Sequence, residues 1–457
     1  MNKLNLEKIN KVYLAGIGGI GLSAIAYYFK NLDKEVFGSD LLASEVTKRL
    51  QEADVEIKFK QVAKNISEDI DLFIYSSALP EMHVELLKAQ ELKIPTLSYF
   101  EFLGLLSQNY KTIAVTGTNG KTSTTAMLGL MLEKAGLDPT VIVGSLVPEW
   151  NSNFRLGKSD ILVVESCEWR AHMLKINPNI IILTNVAEDH LDFYKDLNDI
   201  KKHFQKFVDK LPTDGLFVKN FDDKNSKNIK FKNTITFGAS EKADCFFNNL
   251  RVEDSKQKFD TNLCSSDDKF TAIELAVPGI YNVYNAMSAM TVANHLGVNK
   301  HQMWNALAEF KSTWRRFEIV GQMKSNIVIS DYAHHPDSIN MLLRATKDFY
   351  PDKKIIAVFQ PHHHNRTKTL LNEFAKAFYL ADQAIILEIY SVRGREDKIK
   401  ENISSVDLVA KMNHNHKYYA NDFKKVRAIL KDINPSNSII IFIGAGDIDD
   451  LAREIID

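Results

Sequence analysis

Short runs of apolar residues recur along the whole chain, and each is followed by a polar or glycine-rich turn and a stretch with helical periodicity. The first run covers residues 12–15; later examples are TIAVT, ILVVES and IIILTN in the middle of the chain and NIVIS, KIIAVF and SIIIFI in its last third. Uninterrupted apolar runs of this length are typical of strands buried on both faces of a parallel sheet. Because the runs alternate with helical stretches, the pattern predicts an α/β fold.

The chain of 457 residues is longer than one ordinary domain, and at about 150 residues per domain it predicts three. We place these domains at residues 1–108, 109–310 and 311–457. The first and third are predicted to be Rossmann-like, and the central one to be of the P-loop type, with a polar hairpin region at its periphery. Ligands of open α/β sheets bind at the carboxyl ends of the strands, so the residues that follow each strand are the candidates for chemistry.

A glycine-rich turn follows the strand that opens the second domain. It reads GTNGKT, with Gly117, Gly120, Lys121 and Thr122, whereas the usual phosphate-binding loop has four residues between its two glycines. The context is nevertheless that of a phosphate loop, because a strand precedes the turn and a helix N-terminus follows it. The alternative is a structural turn with a solvated lysine.

Acidic residues and one histidine follow the next two strands of this domain. Glu165 and Glu168 end the first strand, and Glu188, Asp189, His190 and Asp192 come soon after the second. Carboxylate and imidazole groups at the same sheet edge as a phosphate loop could hold magnesium against phosphate oxygens. The alternative interpretation is that these residues are helix caps or solvated turns.

The N-terminal strand leads into the motif GIGGIG, in which Gly16, Gly18 and Gly21 have the spacing of a dinucleotide-binding turn. Asp40 closes the following strand, where a ribose-binding acid is expected. The same geometry serves any diphosphate, so the motif leaves a nicotinamide cofactor and a UDP-sugar equally open. A tight turn without a ligand is the third possibility.

Composition and charge narrow the class of protein. Apolar residues make up 45% and charged residues 25% of the chain, which is typical of a globular protein, and the net charge of −1 does not favour nucleic acid as a partner. The cysteines Cys167, Cys245 and Cys264 lack any C-x-x-C spacing, so we predict neither a disulfide framework nor a zinc site. No signal peptide or membrane span is evident, and we therefore expect a cytoplasmic protein.

Seven motifs, taken together, resemble the Mur ligases of peptidoglycan synthesis over nearly the whole chain. They are AVTGTNGKTSTT, VVES, TNVAEDHLD, VPGIYNVYNAMSA, WRRFE, DYAHHP and FQPHHHNRT, and they occur in the order found in that family. In the family the short loop GTNGKT is the normal form. Details such as GIGGIGLSAIA and AEDHLDFY are most similar to the branch that adds L-alanine to UDP-N-acetylmuramate.

The resemblance implies an ATP- and Mg²⁺-dependent amide ligase whose partners are UDP-N-acetylmuramate and an amino acid, acting through an acyl phosphate as a monomer or weak homodimer. It implies nucleotide-binding roles for Gly117, Thr118, Asn119, Gly120, Lys121, Thr122, Ser123, Asn282, Asn285, Arg316 and Asp331. It implies metal ligation by Thr122, Glu165 and His190, and UDP-substrate binding by Gly16, Gly18, Gly19, Gly21, Ser39, Asp40 and Ser76. It implies amino-acid binding by His334, His363 and Arg366, and catalysis by Lys121, Glu165, His190, Arg316 and His334.

Four residues depart from the pattern of the alanine-adding branch, namely Trp169, Arg170, Tyr281 and His363. Trp169 and Arg170 are expected to alter the substrate wall, and the four departures together leave the added amino acid or peptide open. The related ligase that reattaches a recycled murein tripeptide to UDP-N-acetylmuramate is therefore the second hypothesis. An NAD-dependent oxidoreductase is a third, from a different class, but it would leave the phosphate loop unexplained.

Overall fold

The computed structural model describes residues 6–190, 193–264, 269–390 and 403–456. Three sheets account for its strands, and the predicted α/β fold class is confirmed. The chain forms two compact units, one made of Met1–Asn248, Asp260–Ile273 and Tyr284–Ala308 and the other of Asn249–Phe259, Glu274–Val283 and Glu309–Asp457. No helix in the described ranges is long and apolar enough to cross a membrane.

The first sheet has five parallel strands in the order β3-β2-β1-β4-β5. Its strands are β1 Lys11–Ala15, β2 Glu35–Ser39, β3 Glu56–Lys58, β4 Leu72–Tyr75 and β5 Thr96–Ser98, and its helices are α1 Ile20–Lys30, α2 Glu45–Glu52, α3 Val84–Glu91 and α4 Tyr99–Ser107. The order runs outward from β1 in both directions, so the carboxyl end of β1 is the point where a ligand crevice forms in such sheets.

The second sheet has ten strands in the order β15-β14-β13-β12-β11-β10-β6-β9-β7-β8. The strands are β6 Lys111–Thr116, β7 Thr140–Val147, β8 Ser152–Arg155, β9 Ile161–Glu165, β10 Ile180–Leu183, β11 Leu216–Asn220, β12 Thr234–Gly238, β13 Cys245–Glu253, β14 Lys256–Leu263 and β15 Lys269–Leu275. The helices are α5 Lys121–Lys134, α6 Leu197–Val208, α7 Ile280–His295 and α8 Lys300–Glu309. The phosphate-loop strand β6 lies between β10 and β9, and both pairings are parallel. The residues after these three strands therefore meet at one edge.

One prediction about this sheet is wrong, because Cys245 and Cys264 form a disulfide. The two cysteines are 19 residues apart, but β13 and β14 are neighbours in the sheet and bring their Cα atoms to 4.6 Å. That separation is within the range that a disulfide spans. Cys167 has a free thiol.

The third sheet has the order β16-β17-β21-β18-β19-β20, with only β16 antiparallel to its neighbour. The strands are β16 Glu318–Met323, β17 Asn326–Asp331, β18 Lys354–Phe359, β19 Gln383–Leu387, β20 Lys417–Ala420 and β21 Ser438–Ile443. The helices are α9 Pro336–Phe349, α10 His364–Thr369, α11 Leu371–Ala377, α12 Ser405–Lys411, α13 Phe423–Ile433 and α14 Ile448–Glu454. Buried aliphatic and aromatic residues cover both faces of this sheet, which explains why its strands are uninterrupted apolar runs.

Candidate active site

The phosphate loop joins β6 to α5, and its two glycines are sterically required. Gly117 and Gly120 have φ angles of 133° and 84°, in the range that residues with a side chain rarely adopt. A Cβ atom at Gly117 would lie 2.1 Å from Thr184 Oγ1, and one at Gly120 would lie 2.2 Å from Asn285 Oδ1. The loop therefore fits closely against the end of β10 and against Asn285, and α5 begins directly after it at Lys121.

The middle of the loop is bonded to the segment that follows β10. The Asn119 amide donates to Asn185 Oδ1 at 3.0 Å, and Asn185 Nδ2 donates back to Asn119 O at 3.0 Å. The Ala187 amide donates to Thr118 Oγ1 at 2.9 Å. Thr118 and Asn119 thus shape the loop as well as being predicted nucleotide contacts. The sequence did not indicate a role for Asn185 or Ala187. The feature that could have indicated it is that β10 pairs in parallel with β6, so that the residues after β10 lie beside the phosphate loop.

Lys121 is held between its own loop and a buried carboxylate. Its Nζ donates to Glu168 Oε1 at 3.0 Å and to the carbonyl oxygens of Gly117 and Thr118 at 2.7 and 3.0 Å. Burial opposes the charge of Lys121, but Glu168 and the nearby Glu165 outweigh it, so its pKa is raised. The ammonium is therefore charged and lies where a phosphate would meet the loop.

Thr122 and Glu165 form a second pair beside the first. Thr122 Oγ1 donates to Glu165 Oε1 at 3.1 Å, and the Gly144 amide donates to Glu165 Oε2 at 2.7 Å. A hydroxyl and a carboxylate next to a phosphate loop are the oxygen donors that Mg²⁺ takes. The predicted metal ligands Thr122 and Glu165 are thus brought together. Ser123, predicted to bind the nucleotide, is buried in the first turn of α5.

The third predicted ligand, His190, lies against different acidic residues. Its Nε2 is 3.7 Å from Glu168 Oε1 and its Nδ1 is 3.8 Å from Asp189 Oδ1. One ligand atom from each of these three residues lies within 4.8 Å of the others, which suits a divalent cation. Glu168 therefore faces both Lys121 and His190, a position that the sequence did not assign to it. Asp192 lies outside the described residues.

The glycine turn after β1 gathers most of the predicted UDP-binding residues. The Gly18 amide donates to Asp40 Oδ2 at 2.8 Å, and the Gly19 amide donates to Gly16 O at 3.1 Å. Gly16 has a φ of 83°, and a Cβ atom there would lie 2.9 Å from Ser76 Cβ. The ends of β1, β2 and β4 therefore meet at this turn, and α1 begins behind it.

Two of the predicted UDP-binding residues, Ser39 and Gly21, pack against other residues of the protein. The Ser39 side chain is fully buried and its hydroxyl donates to Glu85 Oε2 at 2.6 Å, so it belongs to the core and not to the ligand surface. A Cβ atom at Gly21 would lie 2.8 Å from the Tyr99 ring, which makes this glycine a packing requirement. Burial, with Glu165 and Cys167 close by, raises the pKa of Tyr99.

The residues that depart from the family pattern at 169–170 belong to an aromatic group. The Arg170 guanidinium lies 4.8 Å from the centre of the Trp169 ring, and the His172 ring stacks on Phe100 with centres 3.8 Å apart. Burial lowers the pKa of His172 to about 4, helped by Arg170. His172 is therefore neutral near pH 7.

In the second unit, Asp331 ends β17 and is fully engaged by backbone donors. The amides of Phe317 and Ala333 donate to its two carboxylate oxygens, each at 2.7 Å. Burial raises the pKa of Asp331, while Arg316 acts in the opposite direction. Arg316 lies with its guanidinium 5.1 Å from the centre of the Tyr332 ring. These two predicted nucleotide-binding residues are therefore close together.

Arg315, beside Arg316, has a role that the sequence did not indicate. Its guanidinium donates to Gly446 O at 2.8 Å and to Gly444 O, which ties it to the turn after β21. His334 is close by, with Nδ1 at 2.9 Å from Tyr332 O. This agrees with the expectation that the ends of β17 and β21 share one edge.

The remaining predicted residues of the second unit are placed as follows. His363 precedes α10, Arg366 lies in it, and His362 stacks on Tyr390 with ring centres 5.6 Å apart. Burial lowers the pKa of His362 to about 3, helped by His363. Asn282 Nδ2 donates to the carbonyl oxygen of residue 278 at 2.8 Å. Burial raises the pKa of Tyr281, one of the departures from the family pattern.

Three family models match successive parts of the chain: Mur ligase family, catalytic domain over residues 11–111, Mur ligase middle domain over 115–293, and Mur ligase, glutamate ligase domain over 315–446. The chain therefore belongs to the Mur ligase family, which confirms the predicted resemblance. Membership of a ligase family removes the oxidoreductase alternative that the glycine motif left open.

Similar proteins narrow the comparison within the family. A UDP-N-acetylmuramate–L-alanine ligase of Caldanaerobacter subterraneus subsp. tengcongensis is 36% identical over 100% of this chain and 99% of its own, and one of Caldicellulosiruptor bescii is 40% identical over 96% and 97%. The crystal structure of a UDP-N-acetylmuramate–alanine ligase from Thermotoga maritima has a TM-score of 0.83 at 29% identity, covering 97% of this chain and 98% of its own. A murein peptide ligase from Psychrobacter arcticus shares the fold, with a TM-score of 0.72 at 21% identity and 98% coverage of both chains.

Proposed function

We propose that the protein joins L-alanine to the carboxylate of UDP-N-acetylmuramate, with conversion of ATP to ADP and inorganic phosphate. The observation that carries the proposal is the arrangement of the phosphate loop, in which Lys121 pairs with Glu168 and Thr122 pairs with Glu165. Such an arrangement suits phosphoryl transfer from ATP. The choice of substrates is supported by the relatives of that name, which match essentially the entire chain.

The chemistry needs two displacements. An oxygen of the muramoyl carboxylate attacks the γ-phosphorus of ATP and ADP leaves; the deprotonated amine of the amino acid then attacks the acyl carbon, and inorganic phosphate leaves. Lys121 would neutralise charge on the transferred phosphoryl group, and the loop amides would orient the phosphates. Thr122 with Glu165, and His190 with Glu168 and Asp189, would hold Mg²⁺, which supplies charge neutralisation when bound.

We further propose that residues of the second unit serve the nucleotide and the amino acid. Arg316 and Asp331 are assigned to ATP, and His334, His363 and Arg366 to the incoming amino acid. A planar guanidinium such as that of Arg366 binds a carboxylate through two parallel hydrogen bonds. Because the substrates of this reaction are soluble nucleotides and amino acids, we also propose a cytoplasmic location.

The test is release of inorganic phosphate from ATP in the presence of Mg²⁺ and UDP-N-acetylmuramate. We expect L-alanine to support release well above the rates with glycine, with L-serine or with the tripeptide L-alanyl-γ-D-glutamyl-meso-diaminopimelate. Faster release with the tripeptide would favour the peptide-ligase hypothesis. An amino-acid-independent rate in every arm would contradict amide ligation altogether.

A further inference from the structure

Two side chains in the turn after β11 form hydrogen bonds with the backbone of one residue, Val186, in the neighbouring loop. Asp223 Oδ2 accepts a hydrogen bond from the Val186 amide at 3.0 Å, and Asn225 Nδ2 donates to the Val186 carbonyl oxygen at 2.7 Å. Val186 is 1% exposed and both bonds are partly buried. The backbone of Val186 is therefore fixed in position and in orientation by side chains from the turn after β11.

Val186 lies at the centre of the segment that carries the site. Asn185 before it and Ala187 after it bond to the phosphate loop, and Asp189 and His190 follow within four residues. This segment has no regular secondary structure, although backbone hydrogen bonds of Thr184 to residue 116 and of Asn185 to residue 118 continue the pairing of β10 with β6. The contacts from Asp223 and Asn225 hold the segment one residue further on, at Val186.

The same turn also forms a hydrogen bond with α7, the helix that carries Asn285 beside the phosphate loop. Asp222 Oδ2 accepts from the Tyr284 hydroxyl at 2.9 Å and from the Ala239 amide at 2.6 Å. Tyr284 precedes Asn285, whose Oδ1 closes over Gly120 of the phosphate loop. Two consecutive carboxylates thus hold two different elements that border the loop.

We propose that Asp223 and Asn225 are positioning residues of the reaction, which hold the 184–190 segment so that Asp189 and His190 meet the cation and the phosphate loop keeps its shape. Both residues act through the backbone of Val186. The inference rests on the proposed function for the identity of the reaction, but the geometry it concerns is that of cation and nucleotide binding.

The experiment compares Asp223→Ala and Asn225→Ala with Lys224→Ala. Lys224 belongs to the same turn and has an exposed side chain, so its removal matches the other two variants in place but spares the contacts to Val186. Binding of Mn²⁺ to the protein in the presence of ADP is measured by electron paramagnetic resonance of the free ion. Calorimetric binding of UDP-N-acetylmuramate and the urea midpoint are measured on the same samples.

We expect Asp223→Ala to weaken Mn²⁺ binding about tenfold, because loss of the groups that orient metal ligands typically weakens metal affinity 10- to 100-fold. Asn225→Ala should weaken it several-fold, and Lys224→Ala should leave it unchanged. Binding of the UDP-sugar should stay within about twofold of wild type in all three. If Asp223→Ala does not fold, Asn225→Ala provides the test on its own, because it removes a single hydrogen bond to Val186.

Wild-type Mn²⁺ affinity in both Asp223→Ala and Asn225→Ala would overturn the inference, and so would an equal loss in Lys224→Ala. A fall in the urea midpoint without a change in Mn²⁺ binding would show a merely structural role and would also overturn it. Failure of the proposed function is recognised separately, since it would appear as absent phosphate release by the wild type while the comparison of Mn²⁺ binding still stands.

Discussion

Replacing Lys121 with methionine should destabilise the protein as well as stop turnover, and the two effects can be separated. Methionine keeps most of the length of the side chain but removes its charge. Glu168, whose side chain is 4% exposed, then loses its cation, and the carbonyl oxygens of Gly117 and Thr118 lose a donor. His190 Nε2 remains 3.7 Å from Glu168, but a buried carboxylate that has lost its close cation is still more costly than a buried amide.

The magnitude follows from the geometry of the pair. At 2.9 Å the two charges attract by about 6 kcal/mol with an effective dielectric constant near 20. Desolvation offsets part of this attraction, and removing one partner of a buried pair typically costs about 3–5 kcal/mol. Because the Lys121 side chain is 14% exposed and water can enter the gap, we expect the low end, about 3 kcal/mol.

The assay is urea unfolding followed by tryptophan fluorescence, applied to Lys121→Met, Glu168→Gln and the double variant. The double variant should recover about 2 kcal/mol relative to Lys121→Met, since it removes the unpaired charge. Phosphate release should fall on the order of 10³-fold in Lys121→Met and should not recover in the double variant.

Two results would refute this reasoning. If Lys121→Met is as stable as wild type, Glu168 is solvated and the pair contributes no net stability. If the double variant is no more stable than Lys121→Met, the loss comes from the loop carbonyls and not from the carboxylate. Either outcome would leave the catalytic role of Lys121 to be judged from phosphate release alone.

Three further predictions concern single residues. Gly120→Ala should abolish ADP binding, because a Cβ atom at this position displaces the Asn285 amide. Gly136 also has a positive φ but lies in open space, so Gly136→Ala should cost only about 1 kcal/mol of stability and keep ADP binding. Calorimetry measures ADP binding by both variants. His172→Phe should flatten the pH dependence of the free energy of unfolding. Burial holds the pKa of His172 at about 4 in the folded state, so between pH 6.5 and 4 the unfolded state binds a proton that the folded state does not, and the wild type loses roughly 1–2 kcal/mol of stability. The variant should keep this stability, and urea titrations at pH 7 and pH 5 measure the difference. Arg366→Lys should raise the Michaelis constant for the amino acid by one to two orders of magnitude, about 1.5–3 kcal/mol, with the constant for ATP unchanged; a change confined to ATP would assign the arginine to the nucleotide.

Local signals in the sequence predicted the α/β fold and the strand and helix on either side of the phosphate loop. The apolar runs indicated which segments are strands. Because ligands bind at the carboxyl ends of parallel strands, Lys121, Glu165 and His190 could be predicted to lie at one edge of the sheet. The partners of these residues could not be predicted in the same way. That Glu165 faces Thr122 while Glu168 faces Lys121 depends on side-chain directions within the turn after β9.

Contacts between distant segments were missed for the same reason. Asp223 is 37 residues from Val186, and no local pattern distinguishes it from a solvated aspartate in a polar turn. The disulfide between Cys245 and Cys264 needed the register of two hairpin strands, which alternation of apolar and polar residues left undetermined in this polar region.

Ser39 and Asp40 show why a motif can identify a position but not the direction of its side chain. Ser39 ends β2 and Asp40 follows it beside the glycine turn, and both were assigned to the UDP-substrate. Successive side chains of extended backbone point to opposite sides, so when Asp40 turns towards Gly18 its neighbour Ser39 turns away. Ser39 meets Glu85 in the core, where the Tyr13 hydroxyl also donates to the same carboxylate at 3.0 Å. The serine is therefore expected to matter for the stability of the first sheet, and the aspartate for the shape of the turn that faces the ligand.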